Sequence, residues 1–528
     1  MSIPVDVAVI GCGPVGAFAA NLLGKLGLRA VVVERDREPY SLPRAVHVDH
    51  EMLRLFADVD LLEAVEPRMV AADGHLHIGA DGGVIRFLSA AGAPRPFTFA
   101  NDYFFYQPEL EAALRAGVRR FPHLELRFGT ALIDLWQDDD GVTLQLDSGE
   151  TVRARYVIGC DGARSAVRKA LGIRLDDLSF EEPWLVVDAE VDGPISFPQF
   201  AGVPDGADLQ RLSVMLCDPR RPATIVPGRG KHRRWEFMLV PGESDVDMMQ
   251  PHVVEALIAP WVKGVTHRIV RAATYHFHGL VAEDWRFGRV FLAGDAAHQT
   301  PPFFGQGMCH GLRDVANLAW KLELVLSDTA DAKLLDSYQR ERDPHVRAII
   351  GAAVEAGRYI CELDPERAAA RDTRLRSQSG PRTAADLIPP ICDGIVEQGS
   401  GARFIQPMLI RPEGCVVRLD EISGGGWTLV LSEGSDVTLS PGAAAVWGRL
   451  EGTTIMLGKD CTDAEGHLTR WLAQHNAIGV IVRPDFYCYA SAADATALSG
   501  AIERLGSALC LRPVVLSPTE DIHRRIVA

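Results

Sequence analysis

The segment Gly11-Cys12-Gly13-Pro14-Val15-Gly16, set between two apolar runs, constrains the fold of this chain more than any other feature. Residues 5–10 form a short apolar run, residues 15–26 carry apolar side chains at helical spacing, and residues 29–34 form a second apolar run that ends in Glu34. Strand, tight turn, helix and strand in that order predict a parallel βαβ unit in a buried sheet. A G-x-G-x-x-G turn lets main chain approach a pyrophosphate, whose charge then meets free N–H groups and the positive end of the helix dipole. Gly11, Gly13 and Gly16 supply the pattern, with Pro14 and Val15 inside it. Glu34 stands 18 residues beyond Gly16, where a carboxylate accepts hydrogen bonds from ribose hydroxyls, and Arg35 follows it. An acid there repels a 2′-phosphate, so the site is expected to take FAD or NAD rather than NADP.

Two later segments, Cys160-Asp161-Gly162-Ala163-Arg164-Ser165 and Gly294-Asp295-Ala296-Ala297-His298, follow at intervals of about 130 to 150 residues. Each is weak alone. Together with the first they fit one long cofactor held at its adenine end, its middle and its ring end, which is FAD. Gly294 and Asp295 lie between the apolar residues 290–293 and the loop Pro301-Pro302-Phe303-Phe304-Gly305-Gln306-Gly307, which opens a helical stretch over 306–326 beginning with Gln306, Gly307 and Met308. The amides and helix end of that loop would face the N1–C2=O edge of a flavin, where a positive dipole stabilises the anionic reduced ring by up to about 2 kcal/mol when partly buried.

Between the motifs the pattern changes. Residues 74–105 show short alternating pieces broken by Gly and Pro, which predict antiparallel strands, followed by a helix over 108–121. Residues 125–128, 131–136 and 142–146 read as hairpin strands with turns at Asp140-Gly141 and Ser148-Gly149, and 156–160 returns to a buried strand. Alternation resumes over 181–275, which predicts a second sheet lying beside the first as a substrate layer. Residues 289–293 are a buried strand and 334–350 a helix, so the nucleotide domain is discontinuous: 1–75, 105–180 and 276–355, with 76–104 and 181–275 as the inserted sheet. Residues 356–403 suit a helical linker, with linker composition at 377–382, and 404–528 a small separate α/β domain.

A formal net charge of -16 argues against a nucleic-acid surface. The one basic run, Lys231-His232-Arg233-Arg234, reads as a solvated turn before a strand. None of the ten cysteines falls in a CxxC pair, which removes the usual zinc and dithiol signatures and leaves no metal site. No apolar run approaches the 18 or so residues that span a bilayer, and the N-terminus has no leader pattern, so a cytoplasmic protein without a membrane partner is expected.

The three motifs together resemble the class A flavoprotein monooxygenases, the single-component aromatic hydroxylases. The resemblance implies an α/β architecture: a Rossmann-like FAD-binding domain of the p-hydroxybenzoate hydroxylase (PHBH) type, an inserted antiparallel-sheet substrate domain, and a C-terminal thioredoxin-like domain which, lacking CxxC, would be structural or oligomeric and leaves a homodimer open. It associates Asp161, Gly162, Arg164, Ser165 and Arg168 with FAD and the nicotinamide donor, and places Asp295 on the flavin ribityl chain. Arg44, in Ser41-Leu42-Pro43-Arg44-Ala45, matches a cofactor-contacting arginine, and Gln107 a residue that approaches the ring system; Pro302 shares their positioning role. Residues 217–224, 234–239, 294–308 and 483–485 look particularly like the 3-(3-hydroxyphenyl)propionate hydroxylases, which convert a meta-substituted phenol to a catechol.

That resemblance implies hydride transfer from NADH, or NADPH, to FAD, then reaction with O2 to a flavin C4a-hydroperoxide that hydroxylates a small-molecule phenolic substrate while water is excluded. A base near the phenol hydroxyl would help, and His47, His50, Tyr103 and Tyr106 are all open as candidates. Arg211 of the second sheet is a candidate for a substrate carboxylate. Alternatives are a same-fold monooxygenase acting on a larger phenolic or polyketide substrate by hydroxylation, epoxidation or Baeyer-Villiger oxidation, and, in a different class, a non-catalytic flavin-fold binding protein. A flavin halogenase is disfavoured because no WxW motif occurs.

Overall fold

The computed structural model describes residues 5–378 and 388–513. Its first sheet has a parallel centre, with Thr151–Gly159, Val5–Ile10, Ala30–Glu34 and Leu124–Phe128 side by side and Val290–Leu292 on the far flank of Thr151–Gly159. Val7, Ala8 and Val9 are wholly buried, because they lie on a central strand whose two hydrogen-bonding sides are taken by neighbouring strands and which the helix Pro14–Lys25 packs against. Full burial of a valine side chain such as Val7 or Val9 is worth roughly 1.5–3 kcal/mol. The strands Leu132–Gln137 and Val142–Leu146 add an antiparallel hairpin to Thr151–Gly159. Leu124–Phe128 differs from the hairpin expected of it: it pairs in parallel with Ala30–Glu34 at the sheet edge. Turn residues on either side of a short strand cannot tell a hairpin partner from a distant one.

The second sheet also has eight strands, in the order His298–Gln299, His267–Ala282, Leu175–Val191, His232–Met238, Ala223–Val226, Leu212–Leu216, Gly74–Ile78, Val84–Ser89. All pairs are antiparallel except Leu212–Leu216 with Gly74–Ile78. Its two long strands, 17 and 16 residues, reach back from this sheet toward the first. Side chains alternate between its two faces over the central strands. Leu185, Val187, Ile225, Trp235 and Phe237 pack on one face against Val254, Ile258 and Trp261, while Val186, Asp188, Thr224, Val226, Arg234 and Glu236 turn to the other. Asp102–Phe105 belongs to neither large sheet; it joins His47–Asp49 and Met69–Ala71 in a small antiparallel one. The basic run is not a solvated turn, since the strand begins at His232 and Arg234 is buried.

Helix Gly307–Leu326 is buried along nearly its whole length, and Ser337–Ile360, which contains Pro344, extends ten residues beyond the expected 350. The helix Pro365–Ser377 follows, and the expected linker at 377–382 lies mostly outside the described residues. Beyond 400 a four-stranded sheet forms in the order Thr453–Met456, Thr428–Leu431, Gly479–Val482, Cys488–Ala492, with the first pair parallel and the others antiparallel. Helices Pro441–Arg449, His467–Gln474 and Ala495–Ala508 complete it. This unit is not loosely tethered. Arg483 reaches Glu341 at 2.7 Å and Asp485 reaches Asn317 at 3.0 Å, all four side chains buried against the two long helices. Among the described residues no helix is long and apolar enough to cross a membrane.

Candidate functional site

One cavity of about 600 Å³ runs between the two large sheets. At one end lies the glycine turn. Gly11 holds φ +96°, and a Cβ on Gly16 would stand 1.9 Å from the Gly11 carbonyl oxygen, so only glycine permits this crossing of turn and helix. A Cβ on Gly13 would meet nothing within 4 Å, which leaves the main chain there open to a ligand. The first turn of helix Pro14–Lys25 has no side-chain cap, and its N–H groups are therefore available to an anion. Glu34 folds onto the turn, accepting from the Cys12 N–H at 2.6 Å and the Asp36 N–H at 2.9 Å, while Arg115 donates to the Cys12 carbonyl at 2.9 Å. Pro14, Val15 and Arg35 line the same end.

The other two motifs form the middle of the cavity. Asp161 Oδ2 accepts from the N–H groups of Ala166 and Val167 at 2.6 and 3.1 Å, so this carboxylate caps the short helix Ala166–Ala170 while its Oδ1 is buried without a partner. Arg168 donates to Ala163 and to Ala296, both at 2.9 Å, and so ties the Asp161-Gly162 segment to the Gly294-Asp295 segment. Gly294 N–H donates to Asp314 at 3.0 Å. Asp295 itself faces the cavity, and the protein around it pushes its carboxyl above the usual range, against the pull of His298 and Arg44.

Pro302, Gly305, Gly307 and Met308 line the wall at the start of helix Gly307–Leu326. Gln306 is buried behind it and accepts from Arg313 at 3.0 Å. Gly305 has φ +63°, and its Cβ would stand 2.6 Å from His47 Nδ1. The fit to a flavin dinucleotide rests on this geometry: an open glycine turn, an uncapped helix start, and a second helix start at the far end of one continuous cavity. Gln107 and Arg44 are brought together, but by main chain. Gln107 Oε1 accepts from the N–H groups of Arg44 and Ala45 at 2.9 and 2.7 Å, and its Nε2 donates to Glu111 at 2.6 Å. The Arg44 guanidinium lies over the Tyr40 ring at 4.4 Å.

The polar face of the second sheet closes the cavity. Val186, Met215, Val226, Phe277 and Phe303 give it apolar surface, and Ser213, Thr224, Arg234, Glu236 and Arg271 give it polar groups. His47 lines it, with Nε2 3.0 Å from Asp102 Oδ1; burial opposes a charge on this imidazole, but the hydrogen bond to Asp102 and that carboxylate's charge outweigh it and raise the pKa. His75 lies beside it, ring centroids 5.8 Å apart, and burial lowers it to about 4.

Other candidates lie elsewhere. Tyr103 is buried and its hydroxyl accepts from the Ala100 N–H at 3.0 Å; His50 packs on Phe97; Tyr106 stacks on His232 at 4.1 Å. None of the three lines the cavity. Arg211 is also outside it, bound to Asp73 at 2.8 Å just before the start of strand Leu212–Leu216. The arginines that the second sheet itself turns to the cavity wall are Arg234 and Arg271, and these, with His75, Glu236 and Arg115, were not among the site residues expected from the sequence. The alternation Arg234-Trp235-Glu236-Phe237 carried the signal, for Trp235 and Phe237 fix one face and thus put the two charges on the other.

Comparisons with known proteins agree with this geometry. The FAD binding domain family matches residues 4–353, and the HcaD C-terminal domain family matches residues 401–508. The chain is 35% identical over 525 residues to a probable NADH-specific resorcinol 4-hydroxylase of Rhodococcus jostii (strain RHA1), with 96% of each chain covered. It is 33% identical over 543 residues to a 3-(3-hydroxy-phenyl)propionate/3-hydroxycinnamic acid hydroxylase of Burkholderia cenocepacia (strain HI2424), covering 94% of this chain and 95% of that one. Among solved structures, a ternary complex of aklavinone-11 hydroxylase with FAD and aklavinone superposes with a TM-score of 0.77 at 25% identity, covering 96% of this chain and 99% of that one.

Proposed function

The chain belongs to the FAD binding domain family of flavoprotein monooxygenases, and on that premise we propose that it hydroxylates a phenolic ring at the expense of NADH and O2. The observation that carries the reading is the single cavity that joins the glycine turn to an aromatic-sized face of the second sheet. FAD, when bound, accepts the hydride and delivers the oxygen atom. The protein's part is to bind, orient and shield. Gly11, Gly13, Gly16 and Glu34 would hold the adenosine half, Asp161, Gly162 and Asp295 the middle, and Pro302, Gly305, Gly307 and Met308 the ring. The start of helix Gly307–Leu326 has no side-chain cap, so its positive dipole would face that ring. Phe277 and Phe303 exclude water, which protects a reactive oxygen donor from decay.

His47 is the one member of the sequence-derived set of bases that reaches the cavity, and Asp102 orients it. The C-terminal unit supports a thioredoxin-like reading by its order of elements, strand–helix–strand–helix–strand–strand–helix, with the third strand antiparallel. Without CxxC it takes a structural role, and a homodimer is the assembly to test. Ten unpaired cysteines accord with a cytoplasmic location.

The deciding assay measures NADH oxidation by the yellow holoprotein with a panel of phenols, alongside product mass. The expected result is strong stimulation by one phenol class and a product heavier by one oxygen atom. Stoichiometric hydrogen peroxide with every phenol would overturn the reading.

A further inference from the structure

Three buried side chains from separate segments converge where the small antiparallel sheet meets the second large one. His47 lies on the strand His47–Asp49, Asp102 on the strand Asp102–Phe105 that pairs with it, and His75 on the strand Gly74–Ile78. Asp102 stands directly opposite Asp49, so His47, Asp49 and Asp102 project from one face of the small sheet. One ligand-type atom from each of His47, His75 and Asp102 falls within 4.8 Å of the other two. Around a tetrahedral ion with bonds near 2.0 Å the ligand atoms stand about 3.3 Å apart. His47 Nε2 and Asp102 Oδ1 are already 3.0 Å apart. A movement of roughly 1.5 Å by the third ligand, His75, completes the triangle.

Polar atoms at this junction are left over. Asp102 is 1% exposed and His75 4%, and neither Asp102 Oδ2 nor His75 Nδ1 has a hydrogen-bond partner among the described residues. Buried polar atoms without partners cost free energy until a ligand completes them. The neighbouring acid differs. Asp49 accepts from the Glu51 N–H at 3.0 Å on Oδ1 and from Arg313 at 2.5 Å on Oδ2, so both of its oxygens are committed. Asp102 is therefore the acid that can take a further cation. His47 and His75 line the large cavity, so an ion reaches the junction from that side, and its fourth coordination position faces the same way.

Two imidazoles and one carboxylate suit Zn2+ and its neighbours Co2+, Ni2+ and Cu2+, and suit Mg2+ and Ca2+ poorly, since those ions prefer oxygen ligands. The CxxC pattern that usually announces zinc is absent, but these ligands come from three strands and leave no local spacing to read. We propose that His47, His75 and Asp102 form a binding site for a nitrogen-preferring divalent ion, Zn2+ above all, and that occupation of the site stops hydroxylation. The second half rests on the phenol-hydroxylase reading above, with His47 as the base. An imidazole that gives one ring nitrogen to a metal keeps its proton on the other. His47 then has no lone pair with which to accept the proton of a phenol, whichever nitrogen binds.

The test titrates chelator-treated FAD holoenzyme with Zn2+ against a chromophoric competitor, and follows in parallel the product formed from the phenol that most stimulates NADH oxidation. The expected result is one Zn2+ per chain with a Kd of about 10 µM or tighter, and loss of product in step with occupancy. Mg2+ at the same concentration should do neither. His75→Gln and Asp102→Asn should each weaken Zn2+ binding by about tenfold or more. X-ray absorption at the zinc edge of the wild-type protein should show nitrogen and oxygen neighbours at about 2.0–2.1 Å and no sulfur, which decides the site even if neither variant folds. No binding by about 100 µM Zn2+, sulfur among the ligands, or an affinity unmoved by both variants overturns the site. Zn2+ bound at these residues with product formation intact overturns the block. If no phenol is hydroxylated, the phenol-hydroxylase reading fails and the block with it, while the binding measurements still decide the site.

Discussion

Arg234, on the second sheet, donates from Nη1 to the main-chain carbonyl of Arg44, 190 residues earlier in the chain, at 2.5 Å. With the bond to Pro43 at 3.0 Å it pins the loop that carries Arg44 to the sheet wall, and Gln107 holds the same loop from the other side through the Arg44 and Ala45 amides. The cofactor segment and the substrate sheet are thus one mechanical unit.

Replacing Arg234 by Met should break that unit. Asp188 would keep only Arg271, 3.8 Å distant, as a cation, and removal of one partner from a buried pair costs about 3–5 kcal/mol. Denaturant unfolding is expected to show a loss at the lower end of that range. FAD affinity, read by fluorescence titration, should fall as well, and Arg234→Lys should recover part of the stability without the two-carbonyl grip.

Gln107→Leu tests the opposite side of the loop. The variant removes the acceptor of two amides and the donor to Glu111, all in a region where Gln107 is buried. Unpaired buried amides cost about 1–3 kcal/mol each. Weaker FAD binding with little change in circular dichroism is the expected outcome.

Gly16→Ala is the most severe single change available at the glycine turn. Its methyl would lie 1.9 Å from the Gly11 carbonyl oxygen and 3.2 Å from Cys160 Cβ, and the obstacle is main chain, which cannot rotate away. The variant should purify without flavin, seen as absent absorption in the flavin bands.

The parallel centre of the fold was legible because a strand buried on both faces reads as an unbroken apolar run, as at 5–10, and because a glycine turn has few other uses between a strand and a helix. The second sheet was legible only as alternation. Its partners were not, since Leu124–Phe128 and Leu212–Leu216 each pair in parallel with strands far away in sequence, and local turn residues say nothing of that. The site divides along the same line. Residues that act through their own main chain, such as Gly11, Gly13 and Gly305, announce themselves by type. Arg234, Glu236 and Arg271 do not, because a charge on an alternating strand has the same local pattern whether it faces solvent or an internal cavity. Arg211 illustrates the converse: it is an arginine beside the right sheet but just outside the strand Leu212–Leu216, held by Asp73.

The C-terminal unit supplies the last prediction, which concerns acid stability. Arg483 reaches Glu341 at 2.7 Å, and Lys321 and Asn317, on helix Gly307–Leu326, reach the same carboxylate oxygen at 2.9 and 2.6 Å. Burial alone would raise the Glu341 pKa, but Arg483 and Lys321 overcome it and hold the carboxyl down at about 2. A carboxyl depressed in the folded state from its ordinary 4.5 contributes stability that is present above pH 4.5 and is lost as the pH falls from there toward about 2. Arg483→Met removes the larger of the two opposing cations, so Glu341 should protonate at a higher pH and the acid-unfolding midpoint should move upward. At neutral pH the same variant leaves a buried carboxylate with Lys321 as its only close cation, a loss of about 3 kcal/mol by denaturant titration. Because Asn317 and Lys321 share a helix with Gly307 and Met308 at the cavity wall, that loss should be accompanied by weaker FAD retention, measured by dialysis at neutral pH; retention equal to wild type would separate the C-terminal unit from the flavin site.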